Sequence, residues 1–465
     1  MPNAHTVKSH SDPARMHTPD QALVDLVLAY VTERLALEET PIDGFGDRVE
    51  MQEALEGLIS NEPKDPAEVL GIYEKYLSET VLSADSPRFF GFIPAAPTKA
   101  SLLFDMVVSA ASLQGCSWLE AAGAVMAENQ ALRTMADIAG MPQSAGGTFV
   151  SGGSAGNLSA LVVARDTARA QRKAHGQPLY PLQVVVSDQA HSSIQNALNI
   201  VDMGAIVVPT ADGRMTREDL ELGLAGQDLS NVVAIIATAG TTNAGIIDQL
   251  DAAADVAEKN GWWFHVDGAY GGAGMLDPEK RTMYQGIERV DSLVMDPHKW
   301  WFAPFDSAAL LYQDPHLAKG VHTQDASYLD VIHTSDLTEF NPSDLAYHLT
   351  RRARGMALWF SLAVNGLDAY RDAVVAGNQM ARYAAEQIKA NPNLELIHEP
   401  DLSVVLFRRQ GWTAENYDKW STNLLDQQVA FVTSSSWRGE TVGRLVFLHP
   451  GTTSAMVDEV LAELN

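Results

Sequence analysis

Lys299 stands in the stretch DPHKWW (residues 296–301), between an imidazole and two indoles and directly after a short apolar run, Leu293 to Met295. An amine placed where a strand enters the core is hard for solvent to reach, and desolvation there depresses a lysine's pKa. A lysine in that state is a nucleophile.

Gly152, Gly153 and Ser154 precede a helical run from Leu158, so their backbone N–H groups can point at an anion that a helix N-terminus also favours. The same residues also suit a tight strand-to-helix turn. Their spacing is not a dinucleotide fingerprint, and the Lys-Ser/Thr pair of a P-loop is missing. Asp267 ends a run of large apolar residues, where an unpaired carboxylate is costly and needs a cation or a strong donor. It can cap a loop or hold a protonated heteroaromatic nitrogen. At ~4 Å and an effective dielectric near 20, that second pairing is worth about 4 kcal/mol, or roughly three pKa units. His191, after SDQA, suits a structural role or stacking on a flat ring and proton transfer. His298 can donate to a phosphate or cap its turn, whereas Trp300 and Trp301 read as core. Phosphate cup, ring-nitrogen carboxylate, stacking imidazole and desolvated amine together describe a site for pyridoxal 5'-phosphate, with Lys299 forming an imine to its aldehyde.

These groups need a scaffold that delivers them to one place. Short β-branched runs predict strands at Thr148–Val150, Gln183–Val186, Ala205–Val208, Val232–Ala237, Trp263–Val266 and Ser292–Met295, alternating with helical segments. That alternation predicts an α/β domain with a mainly parallel sheet. Ligands of such sheets bind beyond the carboxyl ends of the strands. Five predicted strands run into SGGSAGN, SDQAHSS, TAGTTNAG, DGAYGG and DPHKWW, all small, polar or ionisable. Before this domain, residues 19–82 repeat apolar residues at three and four, in DQALVDLVLAYVTERLA and PAEVLGIYEKYLSETVL, predicting amphipathic helices. SPRFFGFIPAAPTKAS (86–101) breaks that pattern and reads as a boundary and pocket-lining loop. The end of the chain, with SVVLFRR and GRLVFLHP, suits a smaller α+β domain.

The chain of 465 residues, 46% hydrophobic, is long enough for two or three domains. Its 32 basic and 59 acidic residues give a net charge of −27, which repels phosphate backbones, so nucleic acid is not an expected partner. The stretch from Met106 to Leu119 is too short and polar to span a bilayer, and the first twenty residues carry no signal-type apolar segment. The single cysteine, Cys116, rules out an internal disulfide; a cytoplasmic protein is expected.

The motifs SDQAHSS, VDGAYGG and DPHKW, in this order and spacing, resemble the group II pyridoxal-phosphate-dependent amino-acid decarboxylases, the family of aromatic-L-amino-acid, histidine and glutamate decarboxylases. The resemblance runs from SPRFFGFIP to RRARGMALWF. It implies the aspartate-aminotransferase-type fold (fold type I): a helical arm (1–90), a large cofactor domain with a seven-stranded, mainly parallel sheet (91–355) and a small α+β C-terminal domain (356–465). It also implies a homodimer with active sites at the subunit interface. By matching position it makes Lys299 the Schiff-base lysine, Asp267 the partner of the pyridinium nitrogen and His191 the stacking ring. Gly153, Ser154, His298 and Asp296 would serve the phosphate, Ala269 the other ring face, and Thr241 would lie near the phenolic oxygen.

The implied activity is decarboxylation of an L-amino acid to the amine, and the aromatic loop RFFGFIP with no dedicated cationic anchor points to an aromatic or other apolar substrate. Two positions depart from the family pattern. Phe340 and Pro342 stand near the place of a loop tyrosine that protonates the carbanion, with Tyr328 and Tyr347 elsewhere, and Ala95 replaces a threonine common in aromatic-acid enzymes. The first departure keeps open an aldehyde-forming oxidative deaminase on the same scaffold. A non-catalytic cofactor-binding protein is another class. A metal hydrolase using His265 and Asp267 would lack a further ligand at suitable spacing, so no metal is expected.

Overall fold

The computed structural model of the chain describes residues 14–93, 96–332 and 340–464. Residues up to Leu82 form one compact unit and Ser83–Asn465 a second. Ala95, the Tyr328 side chain and residues 333–339 of the loop segment lie outside the described residues.

In the first unit, α1 (Gln21–Ala36) starts at Asp20, whose carboxylate accepts the Leu23 amide at 3.1 Å. Its apolar residues have helical spacing, yet none of them is buried. Asp47 and Asp65 cap α2 (Arg48–Leu55) and α3 (Pro66–Ile72) in the same way. The run 66–82 is not one amphipathic helix: α3 gives way to a single π-helical turn, Tyr73–Leu77. There the Ser78 and Thr80 hydroxyls bond back to the carbonyls of Glu74, Tyr76 and Leu77. Such side-chain bonds compete with the helix ladder.

The second unit opens with α4 (Lys99–Ala110) and α5 (Trp118–Ala139), then alternates strand and helix. β1 (Gly146–Val150) leads to α6 (Gly153–Ala174), β2 (Gln183–Ser187) to α7 (Ser192–Val201), and β3 (Gly204–Val208) to α8 (Arg217–Leu224). β4 (Val232–Thr238) and α9 (Leu250–Asn260) precede β5 (Trp263–Asp267), β6 (Ser292–Met295) and β7 (Ala308–Tyr312). The sheet order is β1-β7-β6-β5-β4-β2-β3, parallel except that β7 runs against both neighbours. All six strands read from the sequence are present. β7 was not among them, because its Ala-Ala-Leu-Leu-Tyr composition carries no β-branched signal; its pairing with β1 and β6 makes it a strand.

The sheet is covered on both faces, so all seven residues of β4 are buried. Alternation along β5 sends Phe264 and Val266 into the core shared with α5 and α9, while Trp263 faces the core shared with α6 and α7. Trp300 and Trp301 are buried, as expected, in the first of these cores. After α10 (Pro315–His322) and the long α11 (Met356–Ala390) come β8 (Leu394–Leu396), β9 (Val404–Arg409), α12 (Ala414–Asp426), β10 (Ser435–Trp437), β11 (Glu440–Val446) and α13 (Ser454–Ala462). These four strands form a separate antiparallel sheet ordered β10-β11-β9-β8. Among the described residues no helix is long and apolar enough to cross a membrane.

Candidate active site

The carboxyl ends of β1, β2, β4, β5 and β6 meet around a cavity of about 240 Å³. Its walls include Gly153, Ser154, His191, Asp267, Ala269, Asp296, His298 and Lys299, eight of the residues singled out from the sequence. Thr241 is not one of them. The segment beyond β4 doubles back on itself, with Ala239 bridging Ile247, and the Thr241 hydroxyl accepts the Ile246 amide at 3.2 Å. Thr238, at the end of β4, and Gly240, just beyond it, line the cavity instead.

Asp267 is held in depth by backbone pairing that continues to the end of β5, with the Ala239 amide on its carbonyl at 2.9 Å and Gly268 N donating to Val294 at 2.9 Å. Its carboxylate is already supplied with donors: Oδ1 accepts the Ala269 amide at 3.1 Å and Oδ2 accepts Asn157 Nδ2 at 2.9 Å. Asn157 projects from the first turns of α6, which lies very close to the sheet. A Cβ on Gly156 would sit 2.8 Å from Val294 Cγ2, and one on Gly153 would sit 3.0 Å from both Ala269 Cβ and Asp296 Oδ2.

Lys299 behaves differently from the expectation drawn from burial alone. Burial does lower its pKa, but the Asp296 carboxylate, 2.9 Å from Nζ, and the charge of Asp267 outweigh that effect, so the pKa is raised above the usual lysine value. Asp296 Oδ2 also accepts the Gly153 amide at 3.2 Å and lies 3.5 Å from His298 Nε2. Burial pulls His298 below the usual histidine range, with Asp296 opposing. His298 Nδ1 accepts the Ser307 amide at 3.0 Å, and the Phe305 ring lies 4.9 Å from the imidazole. His191 takes the structural part expected of it, capping α7 with Nδ1 accepting the Ser193 amide at 3.2 Å, and it also walls the cavity.

Asn157, Ser193, Thr238, Gly240 and Tyr270 also line the cavity and were not read from the sequence. The signal for Asn157 was its place four residues after Gly153, on a helix face that otherwise buries Ala160, Leu161 and Ala164. The metal alternative finds no support in the geometry, since both nitrogens of His265 are engaged, by Ser292 Oγ at 2.8 Å and Asn157 Oδ1 at 2.9 Å. No group of three His, Cys, Asp or Glu side chains suited to a metal occurs among the described residues. Phe340 packs edge-on against His316 at 4.9 Å.

The residues suit pyridoxal 5'-phosphate. α6 has no side-chain cap at its N-terminus, the end of a helix that favours an anion, and Gly153 stands where a side chain would fill the cradle. Asp296 Oδ1 is buried without a hydrogen-bond partner among the described residues, and an amine and a carboxylate face the same small cavity.

A lysine, a carboxylate and an imidazole on the carboxyl edge of such a sheet, beside an uncapped helix N-terminus, define a pyridoxal-phosphate enzyme of the aspartate-aminotransferase fold type. The chain belongs to the pyridoxal-dependent decarboxylase family, whose conserved domain matches residues 49–410. It is 27% identical over 461 residues to an aromatic-L-amino-acid decarboxylase of Bacillus atrophaeus, covering 95% of this chain and 93% of that one. It is 31% identical to the human cysteine sulfinic acid decarboxylase, over 69% of this chain and 66% of that one. Its fold matches a crystal structure of Oryza sativa TDC with PLP and tryptamine, with a TM-score of 0.86, 22% identity, and 99% and 98% of the two chains covered. The protein is a pyridoxal-phosphate-dependent amino-acid decarboxylase.

Proposed function

We propose that the substrate is an L-amino acid with an aromatic or other apolar side chain, released as the amine and carbon dioxide. The observation that carries this reading is the cavity lining: among the described residues, Lys299 is its only lysine or arginine, so no second cation is set for an acidic side chain. Phe305, 63% exposed beside His298, adds an apolar surface at the same place. The similarity to a decarboxylase named for aromatic amino acids points the same way.

In this reading Lys299 anchors the cofactor, Asp267 holds its ring nitrogen, and His191 and Ala269 flank its ring. Gly153, Ser154 and His298 hold the phosphate, with Asp296 fixing the Gly153 amide. When bound, the cofactor supplies an electron-accepting ring for the pair released as the bond to the carboxylate breaks. The protein's task is to orient that bond and to exclude water.

The active form is proposed to be a cytoplasmic homodimer. The apolar residues Leu23, Val24, Val27 and Leu28 of α1 are each more than 40% exposed, a surface suited to burial against a second copy. Residues 1–90, 91–355 and 356–465 then act as arm, cofactor domain and small domain. A second product follows if no tyrosine stands at the loop position near Phe340 and Pro342: the aldehyde, formed with carbon dioxide, ammonia and hydrogen peroxide at the expense of dioxygen and water.

Incubation with each of the twenty common amino acids, with products identified by mass spectrometry, tests the reading. Amine from an aromatic or apolar substrate is expected, and borohydride reduction followed by peptide mapping should label Lys299. Turnover confined to acidic or cationic amino acids, or a label on another residue, would overturn it.

A further inference from the structure

We propose that Asn157 is the positioning residue of this site, one buried amide that orients Asp267 with one hydrogen and the His191 ring with the other, itself held in place by His265. The inference rests on the cofactor reading above and extends it to groups behind the cavity wall.

The hydrogen bonds around Asn157 run in one direction only. At one end the Trp263 indole, which can only donate, gives its N–H to Ser292 Oγ at 2.8 Å. Ser292 Oγ keeps its hydroxyl hydrogen and a second lone pair to offer His265 Nδ1, 2.8 Å away. The Asp267 carboxylate at the other end can only accept, which turns the Asn157 NH₂ toward it and Oδ1 toward His265, so His265 carries its proton on Nε2 and gives it to Oδ1 at 2.9 Å. That leaves the amide NH₂ facing Asp267 Oδ2 at 2.9 Å and Ser193 Oγ at 3.1 Å, and the carboxylate can only accept. Ser193 passes its own hydrogen to His191 Nδ1 at 2.9 Å, which leaves Nε2 as the N–H of that ring.

The carboxylate end fixes the order, and with a single proton on the His265 ring the chain cannot reverse. Burial pushes the His265 pKa down to about 4, consistent with the single proton this chain assigns to the ring.

The fold explains how the chain is assembled. Trp263, His265 and Asp267 alternate along β5, so they share the face that α6 covers. Ser292 pairs in register with His265 from β6. Trp263, Ser292, His265, Asn157, Asp267 and Ser193 are each less than a tenth exposed, where an unpaired polar group is costly. Removing the Asn157 amide would free Asp267 to rotate and strand the N–H of His265.

The test uses the holoenzyme loaded with pyridoxal 5'-phosphate labelled with ¹⁵N in the ring, whose resonance reports whether that nitrogen is protonated. In Asn157→Leu the ring proton should be lost about one to two pH units below wild type. The same variant should lower kcat by about 10- to 100-fold, as loss of a hydrogen bond to a charged group does, with KM little changed. His265→Leu should move both readouts the same way, and His265→Gln, whose amide can still donate to Asn157, should recover most of the loss. If Asn157→Leu does not fold, the two His265 variants decide.

Unchanged ring-nitrogen titration in the Leu variants, or His265→Gln no better than His265→Leu, overturns the proposal. So does a histidine ¹⁵N spectrum of the cofactor-free protein that places the His265 proton on Nδ1. Failure of the wild-type protein to bind the labelled cofactor would instead overturn the functional reading, because the histidine spectrum needs no cofactor.

Discussion

Asp296 Oδ2 gathers the Lys299 ammonium and the Gly153 amide, while Oδ1 has no partner among the described residues. The amine that must act as a nucleophile is therefore held as an ammonium by its nearest neighbour. Because the Lys299 pKa is raised, the reactive free-amine fraction grows as pH rises toward and through that raised value. Uptake of pyridoxal 5'-phosphate by the cofactor-free protein, followed by its visible absorption, should accelerate with pH over the same range. Asp296→Asn removes the charge that raises the pKa. Uptake near neutral pH should then be faster by about tenfold for each pKa unit recovered. A slower uptake at every pH would show that the carboxylate assists capture rather than restraining it.

Helix α5 shows how one element fixes another far along the chain. Glu128, 2% exposed, takes both terminal nitrogens of Arg351 at 2.7 Å and also the Gly355 amide at 2.7 Å. Arg351 side-chain exposure is 0%, so this bidentate pair pins the segment entering α11 against α5. Breaking such a pair leaves a buried charge uncompensated, which costs about 3–5 kcal/mol. Glu128→Gln should lower the urea midpoint accordingly, whereas the double change Glu128→Gln with Arg351→Met should recover part of the loss. Equal midpoints for the single and double variants would rule out a stranded charge as the cause. A lone glutamate in the apolar face of α5 hints at a buried partner. The partner's identity, 223 residues away, is not readable from the helix.

At the scale of the molecule, two features oppose each other in assembly. The net charge of −27 makes two copies repel, while α1 carries an apolar face with no buried residue. Sedimentation equilibrium should give twice the mass of one chain, and association should tighten as salt rises from about 0.05 to 0.5 M, because added ions screen the repulsion. Deleting residues 1–37 should shift the equilibrium to monomer. A truncated chain that still sediments at the doubled mass would assign the association to other surfaces.

Much of the chemistry was legible because it is local to strand ends. A parallel sheet sends every carboxyl end to one edge, so Gly153, His191, Asp267 and Lys299, each just beyond an apolar run, had to share a cavity wherever the strands formed. β7 escaped notice because its Ala-Ala-Leu-Leu run carries no β-branched residue and its pairing with β1 is long-range. Thr241 sits at the right place in the chain, but a turn bonded within itself keeps it from the cavity. The direction of the Lys299 shift depends on a contest between burial and a charge 2.9 Å away, and types and spacing give the two competitors without the distance that decides between them. The amide of Asn157 meets Asp267 across 110 residues only because α6 packs closely on β5 and β6. Sequence determined which groups reach the edge, through alternation and strand direction; packing decided which of them touch, because contact energies act over ångströms in space and not over positions in the chain.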